Sequence, residues 1–326
     1  GLLSMPMVQD RLLDRALARA MNRAIPEPPA GGLRVTLCGT SSPVPHPTRA
    51  QACVAIQVDH RLFLVDAGAG SANVAALAGL PLERLEAIFL THFHSDHIAA
   101  IADFALLSWV AGRPVPLALV GPSGVTQVAK GLNRLYALDG GYRVRHHGPD
   151  LLPPDLHDLV PRTISPGVVY DEGGLVVQAF TVDHHPVAPA VGYRFDYGGR
   201  SVVVTGDTVV NDALREAVTG ADLVLADALS PTLVDALVRA TRAAGRDRQA
   251  AVFEDIRDYH ASTADLATLA RDADIGLLAL YHLVPAPRNA LMARIFARGL
   301  PDEVILTEDG TAFLLPPDSE RIEHLP

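Results

Sequence analysis

Residues 91–97 read Thr-His-Phe-His-Ser-Asp-His, and they lie between an apolar strand predicted over 85–90 and an apolar helix predicted over 98–110. His92 and His94 are two residues apart, so in extended backbone their rings point to the same side. Asp96 and His97 follow at the turn into the helix. Imidazole nitrogens and carboxylate oxygens are ordinary zinc ligands. Four such groups packed into a strand-to-helix junction predict a metal site at the end of a sheet. A fold that completes such a site must bring further ligands to the same sheet edge.

The rest of the chain is patterned to do that. Apolar strands are predicted over 33–38, 52–59, 61–65, 115–120, 175–182, 191–197, 200–205, 223–226, 276–281, 304–306 and 312–315. Helices are predicted over 71–78, 213–218, 231–244, 262–271 and 288–297, with Ser262 or Thr263 as a cap. Strands and helices alternate in roughly the same way twice. Two mixed sheets packed face to face with helices on both outer faces, an α/β four-layer αββα sandwich, would bury so many apolar strands. Residues 138–173 are rich in Pro, Gly and His and are expected to be irregular. Residues 8–24 form an amphipathic helix with Val8, Leu12, Leu13, Ala16, Leu17 and Ala20 on one face, stopped before Pro26. That face is expected to pack on the body, with a dimer contact or a cover over the active site as alternatives. The expected organisation is residues 1–30 as helix and linker and residues 31–326 as the catalytic domain.

With 49% hydrophobic residues in 326, the chain is neither disordered nor fibrous. Its formal charge of −10 argues against a strong general nucleic-acid surface. No apolar run fits a bilayer, and residues 1–4 are too short for a signal sequence, which leaves a cytoplasmic or an exported mature form. Cys38 and Cys53 are expected as buried thiols on neighbouring strands, with a disulfide between them as the alternative.

The motif His92-x-His94-x-Asp96-His97 resembles the signature of the metallo-β-lactamase superfamily, and later motifs match in order. Val182-Asp183-His184 ends one strand, Thr205-Gly206-Asp207-Thr208 follows the next, and Leu280-Tyr281-His282 ends another. The resemblance covers about residues 33–315. It implies two Zn2+ per chain, with Mn2+ or Fe2+ as alternatives. His92, His94 and His184 would hold one ion, Asp96, His97 and His282 the other, and Asp207 with a water or hydroxide would bridge them. His185 is the rival of His184. Asp66, ending Phe63-Leu64-Val65, resembles the family's buried aspartate that orients a ligand histidine. Gly68 and Gly206 are read as backbone requirements.

His260, within Tyr259-His260-Ala261-Ser262, is similar to the proton-donating histidine of the tRNase Z branch, and Gly192-Tyr193-Arg194 and Leu37-Cys38-Gly39-Thr40 also look like that branch. The function this implies is a dinuclear phosphodiesterase with Asp96 and His260 in catalytic roles. The chain departs from the branch in two places. It lacks a basic Gly/Pro-rich arm between the second and third motifs, and Arg49-Ala50 replaces the usual Arg-Asn step. A small-molecule or oligonucleotide ester is therefore the expected substrate. Hydrolysis of a β-lactam, lactone or arylsulfate is the alternative. A homo-oligomer through the N-terminal helix is also expected. Pro43-Val44-Pro45-His46-Pro47 is read as a pocket mouth, and Phe104 and Trp109 as core.

Overall fold

The computed structural model describes residues 6–21 and 27–325. Its strands pair into two sheets. The first sheet holds β1 (Leu33–Gly39), β2 (Cys53–Val58), β3 (Arg61–Val65), β4 (Leu85–Phe89), β5 (Ala118–Gly121) and β6 (Val160–Thr163). The second holds β7 (Gly167–Glu172), β8 (Leu175–Thr181), β9 (Val191–Tyr197), β10 (Arg200–Val204), β11 (Ala221–Leu229), β12 (Ile275–Val284) and β13 (Ile305–Leu306). The chain then returns to the first sheet with β14 (Ala312–Leu315) and β15 (Glu323–Leu325). The orders are β15-β14-β1-β2-β3-β4-β5-β6 and β13-β12-β11-β10-β9-β8-β7.

One face of each sheet builds the central core. Val35, Ile56, Phe63 and Phe89 from the first sheet pack against Val177, Tyr193, Phe195 and Val204 from the second. Alternate residues point outward and bury helices. Leu64, Ile88 and Leu119 meet α2 (Ser71–Leu77), α4 (Ile101–Val110) and α5 (Val125–His147) through Ala75, Phe104 and Val125. Val203, Val224 and Leu280 meet α6 (Asp212–Val218), α9 (Thr263–Asp272) and α10 (Ala290–Phe296) through Leu214, Leu266 and Phe296. Because both faces of the sheets are covered, β1, β2 and β10 are buried at every residue, the polar Arg34, Thr36, Gln57, Arg200 and Ser201 included. This is the expected four-layer αββα sandwich. Phe104 and Trp109 are buried, as expected of core residues.

The structure corrects several expectations. Residues 138–173 are ordered: α5 runs to His147, and β6 and β7 pair with β5 and β8. Gly140 is in the helix because His157 packs there, where a Cβ would lie 2.4 Å from its ring nitrogen. A further helix, α8 (Asp247–Asp255), follows α7 (Pro231–Ala243) and forms a hairpin with it around Val234, Val238 and Phe253. The metal motif opens a separate short helix, α3 (Ser95–Ile98), ahead of α4. Helix α1 (Pro6–Met21) forms, but Leu12, Leu13 and Leu17 are about half exposed, so this face does not pack on the body. The Ala20 side chain and residues 22–26 lie outside the description. Cys38 and Cys53 are joined by a disulfide rather than held as thiols. The pairing of β1 with β2 shifts register between Leu37 and Gly39, which leaves Cys38 as an extra residue in β1, 5.0 Å in Cα separation from Cys53.

Candidate metal centre

The site lies where the two sheets end together. At the end of β3 the backbone turns at Asp66, whose φ of +60° is left-handed for a residue with a side chain. Its carboxylate accepts from Thr91 N at 2.9 Å, from Thr91 Oγ1 at 2.8 Å and from His97 Nδ1 at 2.8 Å. Gly68 follows because the chain crosses Asp96 there, and a Cβ would stand 2.1 Å from the Asp96 carbonyl oxygen. Gly206, at φ +65°, passes Thr91 in the same way, with a Cβ 2.9 Å from that side chain. Both glycines are the backbone requirements expected of them.

His92, His97, His184, Asp207 and His282 are buried, as is Asp96. Asp207 is central: its Oδ2 is 3.3 Å from His97 Nε2, 3.8 Å from His92 Nε2 and 3.9 Å from His184 Nε2. Its Oδ1 is 3.4 Å from His282 Nδ1. His94 Nδ1 lies 2.9 Å from His92 Nε2 and 3.3 Å from His184 Nε2. His282 Nε2 meets Asp96 Oδ2 at 3.0 Å. The seven residues singled out in the sequence thus converge, although His282 is 186 positions from Asp96. His184 faces the cluster and its rival His185 is exposed.

Outer partners fix which nitrogen of each ring faces inward. His97 Nδ1 donates to Asp66 and His184 Nδ1 donates to the Tyr259 carbonyl at 2.9 Å. Thr91 Oγ1 sits 3.0 Å from His92 Nδ1. His282 reaches the cluster through a bulge: Asp227 pairs with Tyr281 and Ala228 with Leu283, so His282 is the extra residue, at φ +43°.

Burial holds His92 well below the usual imidazole value and lowers His94 and His184. At His97 and His282 burial acts the same way, but the Asp207 and Asp96 carboxylates outweigh it and both rings are raised. Burial alone would push Asp207 up, yet His282 and His97 keep its carboxyl well below the usual range. Imidazole nitrogens and carboxylate oxygens gathered in this way are the donor set of a dication, whose charge would replace the protons that the carboxylates favour on His97 and His282. His97 Nε2, His282 Nδ1 and Asp207 Oδ1 are buried without a hydrogen-bond partner, a cost that coordination would remove. The residues fit metal. Among the described residues three groups have donor atoms within 4.8 Å of one another: His92, His94, His184 and Asp207; Asp96, His97 and His282; and Asp207, Asp227, His260 and His282.

Sequence reasoning missed Asp227, a member of that last group. It is fully buried, and its Oδ2 accepts from His260 Nδ1 at 2.9 Å. The available signal was its position, a carboxylate directly after the apolar strand predicted over 223–226, as Asp66 follows 61–65. Burial raises its pKa against the pull of the His260 hydrogen bond. His260 lines the cleft above the cluster and stacks on His282 with ring centroids 5.3 Å apart. Pro43, Val44 and Pro45 line the same cleft, as expected of a mouth. His46 instead ties that loop down, with Nε2 donating to the Pro287 carbonyl at 3.1 Å and Nδ1 accepting from Arg49 N.

The metallo-beta-lactamase superfamily profile matches residues 46–253. The chain is 36% identical over 259 residues to ribonuclease Z of Mycobacterium bovis, covering 78% of this chain and 87% of that protein. It is 38% identical over 276 residues to ribonuclease Z of Mycolicibacterium paratuberculosis, covering 81% and 93%. In fold it is similar to the short form of human tRNase Z, with a TM-score of 0.61 at 21% identity over 87% of this chain and 99% of that one. A metallo-beta-lactamase fold protein from Bacillus subtilis also scores 0.61, at 17% identity over 86% and 98%. With the histidine motif, the strand-end carboxylates and these relatives in agreement, the chain belongs to the metallo-β-lactamase superfamily, on its ribonuclease Z-like side, and is a metal-dependent hydrolase.

Proposed function

We propose that the chain is a phosphodiesterase that works with two divalent ions, zinc in the first instance. His92, His94 and His184 would hold one ion and Asp96, His97 and His282 the other, with Asp207 between them. The observation that carries this reading is that three buried atoms without hydrogen-bond partners, His97 Nε2, His282 Nδ1 and Asp207 Oδ1, gather around one carboxylate, with His97 Nε2 3.3 Å from Asp207 Oδ2 and His282 Nδ1 3.4 Å from Asp207 Oδ1. When bound, such a pair of ions supplies Lewis acidity toward phosphoryl oxygens and activates solvent for attack.

The chain's own residues do the remaining work. Asp66, Thr91 and the Tyr259 carbonyl hold the ligand rings at fixed tautomers. Asp227 holds His260 through Nδ1, which leaves Nε2 as the ring nitrogen that can meet substrate in the cleft. As the P–O bond breaks, His260 donates its Nε2 proton to the leaving oxygen, and the Asp227 carboxylate stabilises the protonated ring beforehand. A histidine suits this step near neutral pH. The rival assignment, in which His260 and Asp227 are themselves ligands, uses the same geometry.

One variant separates the two. For His260→Ala, turnover of a dinucleoside monophosphate, a diester whose leaving group is an alkoxide that needs a proton, is expected to fall about 10²–10⁴-fold, with two zinc ions per chain retained by elemental analysis. Loss of metal would favour the ligand assignment, and unchanged turnover would refute the proton donor. The relatives named ribonuclease Z support a phosphodiester as substrate. The β-lactam alternative draws only on the superfamily's name, and no observation favours a lactone or arylsulfate over a phosphodiester.

A further inference from the structure

A cleft of about 1070 Å³ rises from the donor cluster to the surface. Its floor is polar: His94, Asp96, Asp207 and His260 lie there, and Ser42 Oγ is buried beside them with no hydrogen-bond partner. Its wall is not. The α7–α8 hairpin lines it with Leu237, Val252, Phe253 and Ile256, and the 43–45 loop adds Val44. Val252 is 53% exposed, an apolar side chain left facing the cleft. At the lining's other positions Arg246, Arg248 and Arg288 bring three cations, and Asp247 is the only acid apart from the two on the floor.

This distribution separates two kinds of phosphodiester. A structured nucleic acid is held by rows of cations along many phosphates, whereas this chain carries a formal charge of −10 and an apolar wall next to its site. An open cleft of this size, mostly apolar with a few convergent polar groups, is what a small ligand takes. A single diester anion needs only the floor and a few nearby cations.

Resting on the phosphodiesterase reading above, we propose that the substrate is a small amphiphilic phosphodiester. Its anionic diester sits on the floor, and one of its ester substituents is an apolar chain or ring laid against Leu237, Val252 and Ile256. The specificity of the enzyme then comes from the hairpin wall rather than from base or backbone readout.

The test compares zinc-loaded protein on methyl p-nitrophenyl phosphate, hexyl p-nitrophenyl phosphate and a precursor tRNA. We expect kcat/KM for the hexyl diester to exceed that for the methyl diester by at least about 30-fold, a modest part of what full burial of five methylenes would give. In Val252→Asp this ratio is expected to fall below about threefold, and in Val252→Ile to be kept. Calorimetry should show dihexyl phosphate binding more tightly than dimethyl phosphate, with the difference lost in Val252→Asp. A ratio near one in the wild type, an unchanged ratio in Val252→Asp, or precursor tRNA cleaved with a higher kcat/KM than the hexyl diester would each overturn the inference and leave the phosphodiesterase reading standing. No turnover of any of the three would overturn both.

Discussion

Asp66 shows how one residue without any reach into the cleft governs the site. Its carboxylate binds Thr91 twice and His97 once, so it sets both the start of the metal motif and the tautomer of a ring that faces Asp207. Asp66→Asn keeps the size and loses the charge that makes His97 a better donor. Zinc affinity, measured by competition with a chelator, is expected to fall about 10–100-fold with the fold intact. Gly68 is constrained differently. A methyl group there meets the Asp96 carbonyl at 2.1 Å, and backbone cannot yield as a side-chain tip can. Gly68→Ala should cost about 3 kcal/mol in urea unfolding, whereas Gly131→Ala in α5, where a Cβ meets nothing within 4 Å, should not destabilise.

The elements that surround the site are tied down by a few long-range links. Between β1 and β2 the chain makes the 40–50 loop that rims the cleft. Asp309 clamps its two ends through Thr40 N and Oγ1 and through Ala50 N, and Arg49 spans Thr40 Oγ1 and the Thr307 carbonyl. The Cys38–Cys53 disulfide closes the same loop across 15 positions. Loop-closure entropy for that length predicts that reduction, or the double change to serine, lowers stability by about 3 kcal/mol, read as a shift of the urea midpoint. Helix α1 stands at the other extreme. Its apolar residues are exposed, and we propose that this helix stands apart from the catalytic domain, to which the chain is tied from Glu27 onward by the Arg84–Glu27 ion pair. Removing residues 1–26 should leave the thermal midpoint of the domain nearly unchanged. If this helix mediates self-association, the shortened chain will elute from a sizing column as a smaller species, and equal oligomeric states would count against that role.

At the scale of the whole molecule, the site is a seam. β3, β4 and β5 belong to one sheet and β8, β10 and β12 to the other, and the donor set exists only while both sheet ends stay in register. Metal should therefore stabilise the sandwich as a whole. Free zinc at about a thousandfold its Kd adds roughly 4 kcal/mol to unfolding, so a chelator should lower the calorimetric midpoint and zinc should restore it. An unaltered midpoint would mean that these side chains do not bind the ion. Among the described residues no helix is long and apolar enough to cross a membrane.

Much of this was legible in the chain itself, because its signals are local. Burial on both faces makes apolar runs, a metal ligand pair on extended backbone needs spacing of two, and a carboxylate closing an apolar strand stands out at Asp66 and Asp207. Ser262 at a helix start was equally plain, and it accepts from Asp265 N as a cap should. What was hidden depends on contacts between distant segments. The long helix α5 carries Gly140 and Gly141 in its own sequence, and only His157 pressing on it explains the first of them. The disulfide needed a register shift in β1, the aim of His282 needed a bulge in β12, and the partner of His260 needed Asp227, inside β11, to lie beneath it. Periodicity and motif spacing thus specified the elements and the chemical kind of the site, since they act over a few residues. Which nitrogen faces which oxygen, and what lines the cleft above them, was decided by packing alone, since those distances are set across two sheets.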